Sequence, residues 1–290
     1  MPLRLACLDA LTHGPKPPNE DAHGVAPRTA WVIDGATGVG LGPDLLVPSG
    51  AAWLAGTLSG VLADGAARPD RDIGRLLAAA EAEVTEAFRR ALGDAPAPEP
   101  PDVPTACLGL VHLDAGTLEL GVIGDISIIH RGPAGESLHL TDRASEAFGR
   151  ETLATLAAIR RERPDEDHWP RVREQIRRNR LMANRPGGYS VVHPVLPWAE
   201  RVTRLQRPAA AGDVLLVASD GFFRLVDHFG LHSEDSLVEV ALAEGLAPLL
   251  DRLRHAEAAD PHGEAAPRVK RHDDATAVLL RLETEPDNTN

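Results

Sequence analysis

Residues 107–130 read CLGLVHL, then DAG, TLELGVI, GD and ISIIH. Three short aliphatic runs, 107–113, 117–123 and 126–130, are separated by two tight connections, the pattern of successive β-strands. Parallel neighbours need a crossover of about a dozen residues or more, so Asp114-Ala115-Gly116 and Gly124-Asp125 can only be hairpins, and an antiparallel meander is predicted. Working outward, residues 3–9, 30–33, 213–218 and 276–282 carry the same strand signal, several with alternating apolar and polar positions. Helical periodicity appears over 72–92, where Leu76, Leu77, Ala80, Val84, Ala87, Phe88 and Ala91 share one face, and again near 235–256. Those faces must cover sheets.

Composition sets the outer bounds. The chain has 290 residues, 43% of them hydrophobic and 25% charged, which suits a globular protein with a sizeable core and excludes fibrous, collagen-like and disulfide-scaffold classes. The net charge of -13 repels phosphate backbones and anionic lipids, so neither nucleic acid nor a membrane surface is an expected partner. Cys7 and Cys107 belong to no CxxC or Cys/His cluster, and a reducing cytoplasm fits. The N-terminal MPLRLACLDALTHG lacks a signal-peptide core. Between Asp44 and Asp64 the sequence is uncharged and holds Gly56 and Gly60 at GxxxG spacing, but Pro48, Ser49, Thr57 and Ser59 interrupt it, so a buried helix capped near Ser49 is predicted rather than a membrane span.

Residues 143–183 look helical and arginine-rich, divided by Pro164 and Pro170 and ended by Gly187-Gly188, and read as an insertion. The proline-rich run 93–104 and the polar run 257–267 are connections with strands on both sides. No fixed-period repeat is present. One α+β domain over 1–290 is therefore expected, with a short polar tail at 284–290.

Acidic residues stand where strands meet turns: Asp34 after AWVI, Asp125 after LGVIG, Asp220 after VLLVAS, and Asp273 before TAVLLRL. Glu20 and Asp21 add a fifth point. A single Asp-Gly is as readily an Asx-turn or a helix cap. Several carboxylates mounted on strand ends can instead converge at one sheet edge, where their mutual repulsion calls for a cation, and an all-oxygen set favours Mg²⁺ or Mn²⁺ over zinc.

In order, Asn19-Glu20-Asp21-Ala22, Val32-Ile33-Asp34-Gly35, Val122-Ile123-Gly124-Asp125, Ala218-Ser219-Asp220-Gly221-Phe222 and Asp273-Asp274-Ala275-Thr276 resemble the motifs of the metal-dependent protein phosphatases of type 2C, the PPM family, in its bacterial single-domain form. The resemblance runs nearly end to end. It implies a four-layer α-β-β-α sandwich with two central antiparallel sheets and two divalent ions at one edge, with a possible third. Asp34 would bridge both ions, Asp220 and Asp273 would complete one shell, and Glu20 with the main-chain carbonyl of Gly35 would serve the other. Asp21 would hold metal-bound water, and Asp125 would contribute to the third ion. Hydroxide between two ions, formed as the pKa of bound water falls from ~15.7 towards ~7, would attack phosphorus in line without a phosphoenzyme.

Departures from the family pattern are specific. Lys16 stands where an arginine usually grips the substrate phosphate, a point charge in place of a bidentate fork. Lys16 and Lys270 are the two lysines among 30 basic residues, and Lys270 reads as a surface residue. Ala36 replaces a histidine proposed as general acid in some members, for which His13 or His23 could substitute. Asp274 replaces the usual Asn. Residues 142–206 occupy the place of the variable flap, and their arginines (Arg160, Arg161, Arg163, Arg171, Arg173, Arg177, Arg178, Arg180 and Arg185) either receive an anionic substrate or pair with Glu162, Glu166 and Glu174 on a solvated face. The functional expectation is a monomeric protein serine/threonine phosphatase. A phosphatase of small phosphomonoesters and a pseudophosphatase that only binds partners remain as alternatives.

Overall fold

Strand alternation sorts the core into three apolar layers. Trp31 and Ile33 face one way from their strand, Ala30 and Val32 the other. The computed structural model describes residues 2–39, 46–68, 72–96, 98–163 and 167–285. Its strands are β1 (Leu3–His13), β2 (Asp21–Ala26), β3 (Thr29–Ala36), β4 (Thr105–Asp114), β5 (Thr117–Ile123), β6 (Ser127–Arg131), β7 (Ser137–Leu140), β8 (Thr203–Pro208), β9 (Val214–Ala218) and β10 (Ala275–Thr284). They form two five-stranded sheets of order β1-β10-β9-β6-β7 and β2-β3-β4-β5-β8, with every pairing antiparallel.

Between the sheets lies a layer of aliphatic side chains, among them Val32, Val111, Leu120, Val122, Val217, Val278 and Leu280. On the outer face of the second sheet, α1 (Gly50–Ala66) and α2 (Ile73–Leu92) bury Leu54, Leu58, Leu76 and Leu77 against Ile33, Leu108 and Leu110. The first sheet is covered by α5 (Asp220–Asp227), α6 (Glu234–Glu244) and α7 (Ala247–Ala259), through Leu225, Leu237 and Leu253 against Leu216 and Leu279. The four layers are therefore α-β-β-α, as the resemblance implied. Helices α3 (Glu146–Glu162) and α4 (Trp169–Arg180) form a smaller apolar unit around Leu156, Ile159 and Val172.

Local chemistry explains most boundaries. The Ser49 side chain accepts the Ala52 N–H and caps α1 as expected, and Asp72 does the same for α2 through Arg75. The Asp114-Ala115-Gly116 connection is a hairpin, with positive φ at both Ala115 and Gly116. The second predicted hairpin is a correction: β5 and β6 lie in different sheets, so Gly124-Asp125 is a crossing point rather than a turn. Gly124 has φ +77 and passes so close to Cys107 that a Cβ there would stand 2.3 Å from the thiol sulfur. The predicted helix near 235–256 is likewise two helices, broken at Gly245 (φ +85), and the Leu246 N–H donates to Asp9 Oδ2 at 2.8 Å.

Strands β2, β7 and β8 were not legible from the strand signal. Of the predicted tail, Thr284 belongs to β10, and 286–290 lie outside the described residues, as do Asp44, Pro164 and Glu166. Among the described residues no helix is long and apolar enough to cross a membrane.

Leu280 has no exposed surface and packs between the two sheets. Leu280→Ala is expected to cost roughly 2–5 kcal/mol. Urea unfolding should show a lower midpoint with an unchanged slope.

Candidate metal centre

The sheet registers bring the acidic residues to one end of the sandwich. In the second sheet Asp34, near the end of β3, lies directly opposite Asp21 on β2 and Cys107 on β4. In the first sheet Asp220 follows β9 at the start of α5, and Asp273 precedes β10, where Ala218 and Ala277 are paired. Asp125 sits in the crossing between the sheets, and the Ser145 hydroxyl donates to its Oδ2 at 3.4 Å. Two close approaches hold these loops together. A Cβ on Gly221 would stand 1.8 Å from the Asp274 carbonyl, and one on Gly35 2.5 Å from the Glu20 carbonyl, so both positions need glycine.

Each carboxylate has a different surrounding. Glu20 Oε1 accepts hydrogen bonds from Thr37 Oγ1 at 2.8 Å and Ser49 Oγ at 2.7 Å. The Glu20 N–H donates to Asp274 Oδ2 at 2.7 Å, so the unexpected second Asp of the C-terminal motif fastens the N-terminal acidic loop. Both carboxylate oxygens of Asp21 are buried without a hydrogen-bond partner among the described residues. Asp273 accepts from Arg224 Nη2 on Oδ2 at 2.7 Å and from Lys270 Nζ on Oδ1 at 2.9 Å.

Arg224 and Glu257, and the ion pair made by Lys270, are what sequence reasoning missed. Arg224 is buried in α5 and also donates to Glu257 Oε1 at 3.0 Å, while Glu257, with no exposed surface, takes further bonds from Arg254 and His272. The signal was present in Arg224 itself, a charge four residues after Asp220 on a helix of otherwise apolar stretch. Lys270 is exposed as expected, with its side chain 59% accessible, and from there its ammonium reaches Asp273. Lys16 is exposed and makes no ion pair among the described residues. His13 contacts Arg254, and His23 is half-buried on β2.

A cavity of about 630 Å³ opens beside Asp125, Asp220 and Asp273, walled by α5 on one side and by Arg143, Arg150 and Trp169 on the other. None of the nine flap arginines singled out from sequence lines it. Several tie α3 and α4 to the rest of the chain instead: Arg177 pairs with Asp102 and Glu99, Arg160 donates to the His262 carbonyl, and buried Arg180 donates to the Val103 carbonyl.

Crowding shows in the proton affinities. Burial, then the charges of Asp21, Asp220 and Asp273, holds the Asp34 carboxyl well above the usual range. Burial, with Asp274 and Asp220 nearby, pushes Asp21 up to about 8, and burial with Asp220 pushes Asp125 up to about 6. Burial also raises the Cys107 thiol, with Asp125 and Asp34 adding to it. Burial alone would lower the pKa of Lys270, but Asp273, Asp34 and Asp220 outweigh it and raise the ammonium above its ordinary value.

Among the described residues no three His, Cys, Asp or Glu side chains stand together closely enough to hold a metal ion as they are placed. The donor set nevertheless fits a hard divalent cation. It is all oxygen, two buried carboxylate oxygens beside it lack hydrogen-bond partners among the described residues, and its proton affinities are raised first by burial and then by the repulsion such a cation would relieve.

The sequence matches the profile of the protein phosphatase 2C family over residues 15–265. The chain belongs to that family of metal-dependent phosphatases. Among solved structures, the catalytic domain of the serine/threonine protein phosphatase PstP in complex with two manganese ions is 19% identical, with 98% of this chain and 100% of that one covered and a TM-score of 0.58. The Mycobacterium tuberculosis serine/threonine phosphatase PstP/Ppp is 18% identical (97% and 99% covered, TM-score 0.58). The PPM Ser-Thr phosphatase MsPP from Mycobacterium smegmatis, in complex with cacodylate, is 22% identical (95% and 99% covered, TM-score 0.52). These likenesses establish the shared fold. No curated protein sequence matches the chain.

A carboxyl whose folded pKa exceeds its unfolded one holds its proton more tightly when native, so its stabilising effect is present at low pH and is lost as pH rises through the folded pKa. For Asp21 that window runs from 3.8 to about 8. Metal-free protein is therefore expected to lose thermal stability between about pH 4 and about pH 8, and Asp34→Asn should flatten that slope. Melting curves in EDTA across this range provide the measurement.

Proposed function

We propose that the chain is a protein serine/threonine phosphatase that uses two divalent ions, Mn²⁺ or Mg²⁺, to hydrolyse phosphomonoesters by direct in-line attack. One observation carries the reading: carboxylates from both sheets meet at one edge, beside an open cavity, with the oxygens of Asp21 buried and unpartnered. Asp34, Asp220 and Asp273 would hold one ion, and Asp34, Glu20 and the Gly35 carbonyl the other, with Asp125 available to a third. Ions held there supply Lewis-acid polarisation of the phosphoryl group and a lowered pKa for the attacking water.

The chain's own residues do the rest. Thr37 and Ser49 fix the Glu20 carboxylate, and Arg224, itself anchored on Glu257, fixes that of Asp273. Asp21, opposite Asp34, orients water. Cys107 is no nucleophile in this reading, because its buried thiol keeps its proton. In this reading residues 1–290 act as one catalytic unit, and 142–206 form a flap whose Ser145 touches Asp125. The manganese in the PstP structure and the phosphate-like cacodylate in that of MsPP are consistent with these assignments.

Hydrolysis of p-nitrophenyl phosphate with Mn²⁺, Mg²⁺ or EDTA tests the proposal. Turnover is expected with the ions and not with EDTA, and Asp34→Asn and Asp220→Asn should each lower kcat by at least about 100-fold. A folded protein that binds Mn²⁺ yet turns over nothing would make this a binding protein.

A further inference from the structure

Lys270 occupies an unusual position: its ammonium lies 2.9 Å from Asp273 Oδ1 and lines the cavity together with Asp125 and Asp220. The arginines lining that cavity have carboxylate partners that are not expected ion ligands. Arg268 pairs with Asp260, Arg143 and Arg150 share Glu146, and Arg224 has Glu257 as well as Asp273. Lys270 differs. Among the described residues its carboxylate partner is Asp273, one of the residues assigned above to an ion.

A divalent ion taking Asp273 would therefore leave Arg224 neutralised by Glu257 and leave Lys270 without a counter-charge. Its side chain is long and exposed, and the ion would repel the ammonium from Asp273 towards the mouth of the cavity. An anion arriving at the ions would meet it there. Lys16, exposed and absent from the cavity lining, is not placed for that contact.

Resting on the phosphatase reading, we propose that Lys270, rather than Lys16, is the side chain that binds the substrate phosphoryl group, and that ion binding at Asp273 unmasks it. In the metal-free protein the ammonium neutralises Asp273. In the loaded protein it is a point charge for the phosphate dianion, a contact that attracts without fixing orientation.

The test is calorimetric titration of inorganic phosphate into Mn²⁺-loaded protein, paired with Mn²⁺ titration of the metal-free protein, for the wild type, Lys270→Met, Lys270→Arg and Lys16→Met. Expected for Lys270→Met is phosphate affinity weakened about 10-fold, the loss of a charge-assisted contact, together with Mn²⁺ affinity equal to or tighter than wild type. Lys270→Arg should recover most of the phosphate affinity, and Lys16→Met should leave it unchanged. Phosphate affinity unaltered in Lys270→Met, or weakened as much in Lys16→Met, overturns the inference. So does weaker Mn²⁺ binding in Lys270→Met, which would place the residue in the ion site. If the wild type hydrolyses p-nitrophenyl phosphate while Lys270→Met binds phosphate normally, this inference alone falls. If the wild type binds neither Mn²⁺ nor phosphate, the functional reading falls with it.

Discussion

Several carboxylates are withdrawn from water at one end of two packed sheets, and the folded chain cancels only part of their charge. Removing an ionised carboxylate from water costs far more than any single contact returns, so such groups neutralise by binding protons or by meeting a cation. Both responses are visible. Asp21, Asp34 and Asp125 hold their protons more tightly than ordinary aspartates, and Asp273 is met by Arg224 and Lys270. The surplus is tolerated because three apolar layers stabilise the same elements: the strand ends that mount the carboxylates continue into cores built from Leu108, Val217 and Leu279.

The two cations at Asp273 are not equivalent. Arg224 is rigid, buried and braced by Glu257, whose second oxygen is taken by Arg254 and His272, and this network belongs to the packing of α5 on α7. Lys270 lies on an irregular loop and reaches the carboxylate from the solvent side. A buried guanidinium held by two carboxylates is fixed in orientation, whereas an exposed ammonium is a point charge on a long stem, so one carboxylate has two partners of unlike rigidity.

Much of this arrangement was readable in the residues. The unbroken apolar runs AWVI and VLLVA placed Asp34 and Asp220 at strand ends, and the five acidic motifs pointed to the family and its layers. Three strands escaped. Strand β2 reads DAHGVA, β7 reads SLHL, and β8 reads TRLQRP; all three are edge strands, half-solvated or exposed, where the apolar signal is weak. The Gly124-Asp125 step was misread because a two-residue gap is short enough for a hairpin, and only the packing of Gly124 on Cys107 and the pairing of β6 with β9 reveal a change of sheet. Lys270 was rightly assigned to the surface, but its ion pair with Asp273 depends on how the loop before β10 folds back, which no local pattern encodes.

The order of strands in the first sheet has a consequence for synthesis. Strand β10, the last described strand, lies between β1 and β9 and registers Leu3 against Thr284. Until residues 275–284 leave the ribosome, β1 has no neighbour in its own sheet, and the long-range pairing that closes that sheet cannot begin. Asp273 arrives with the same segment. A nascent chain can thus build the β3-β4-β5 meander and its covering helices early, but it carries an incomplete acidic edge until β10 inserts, so the full cluster of carboxylates is assembled late and in one step.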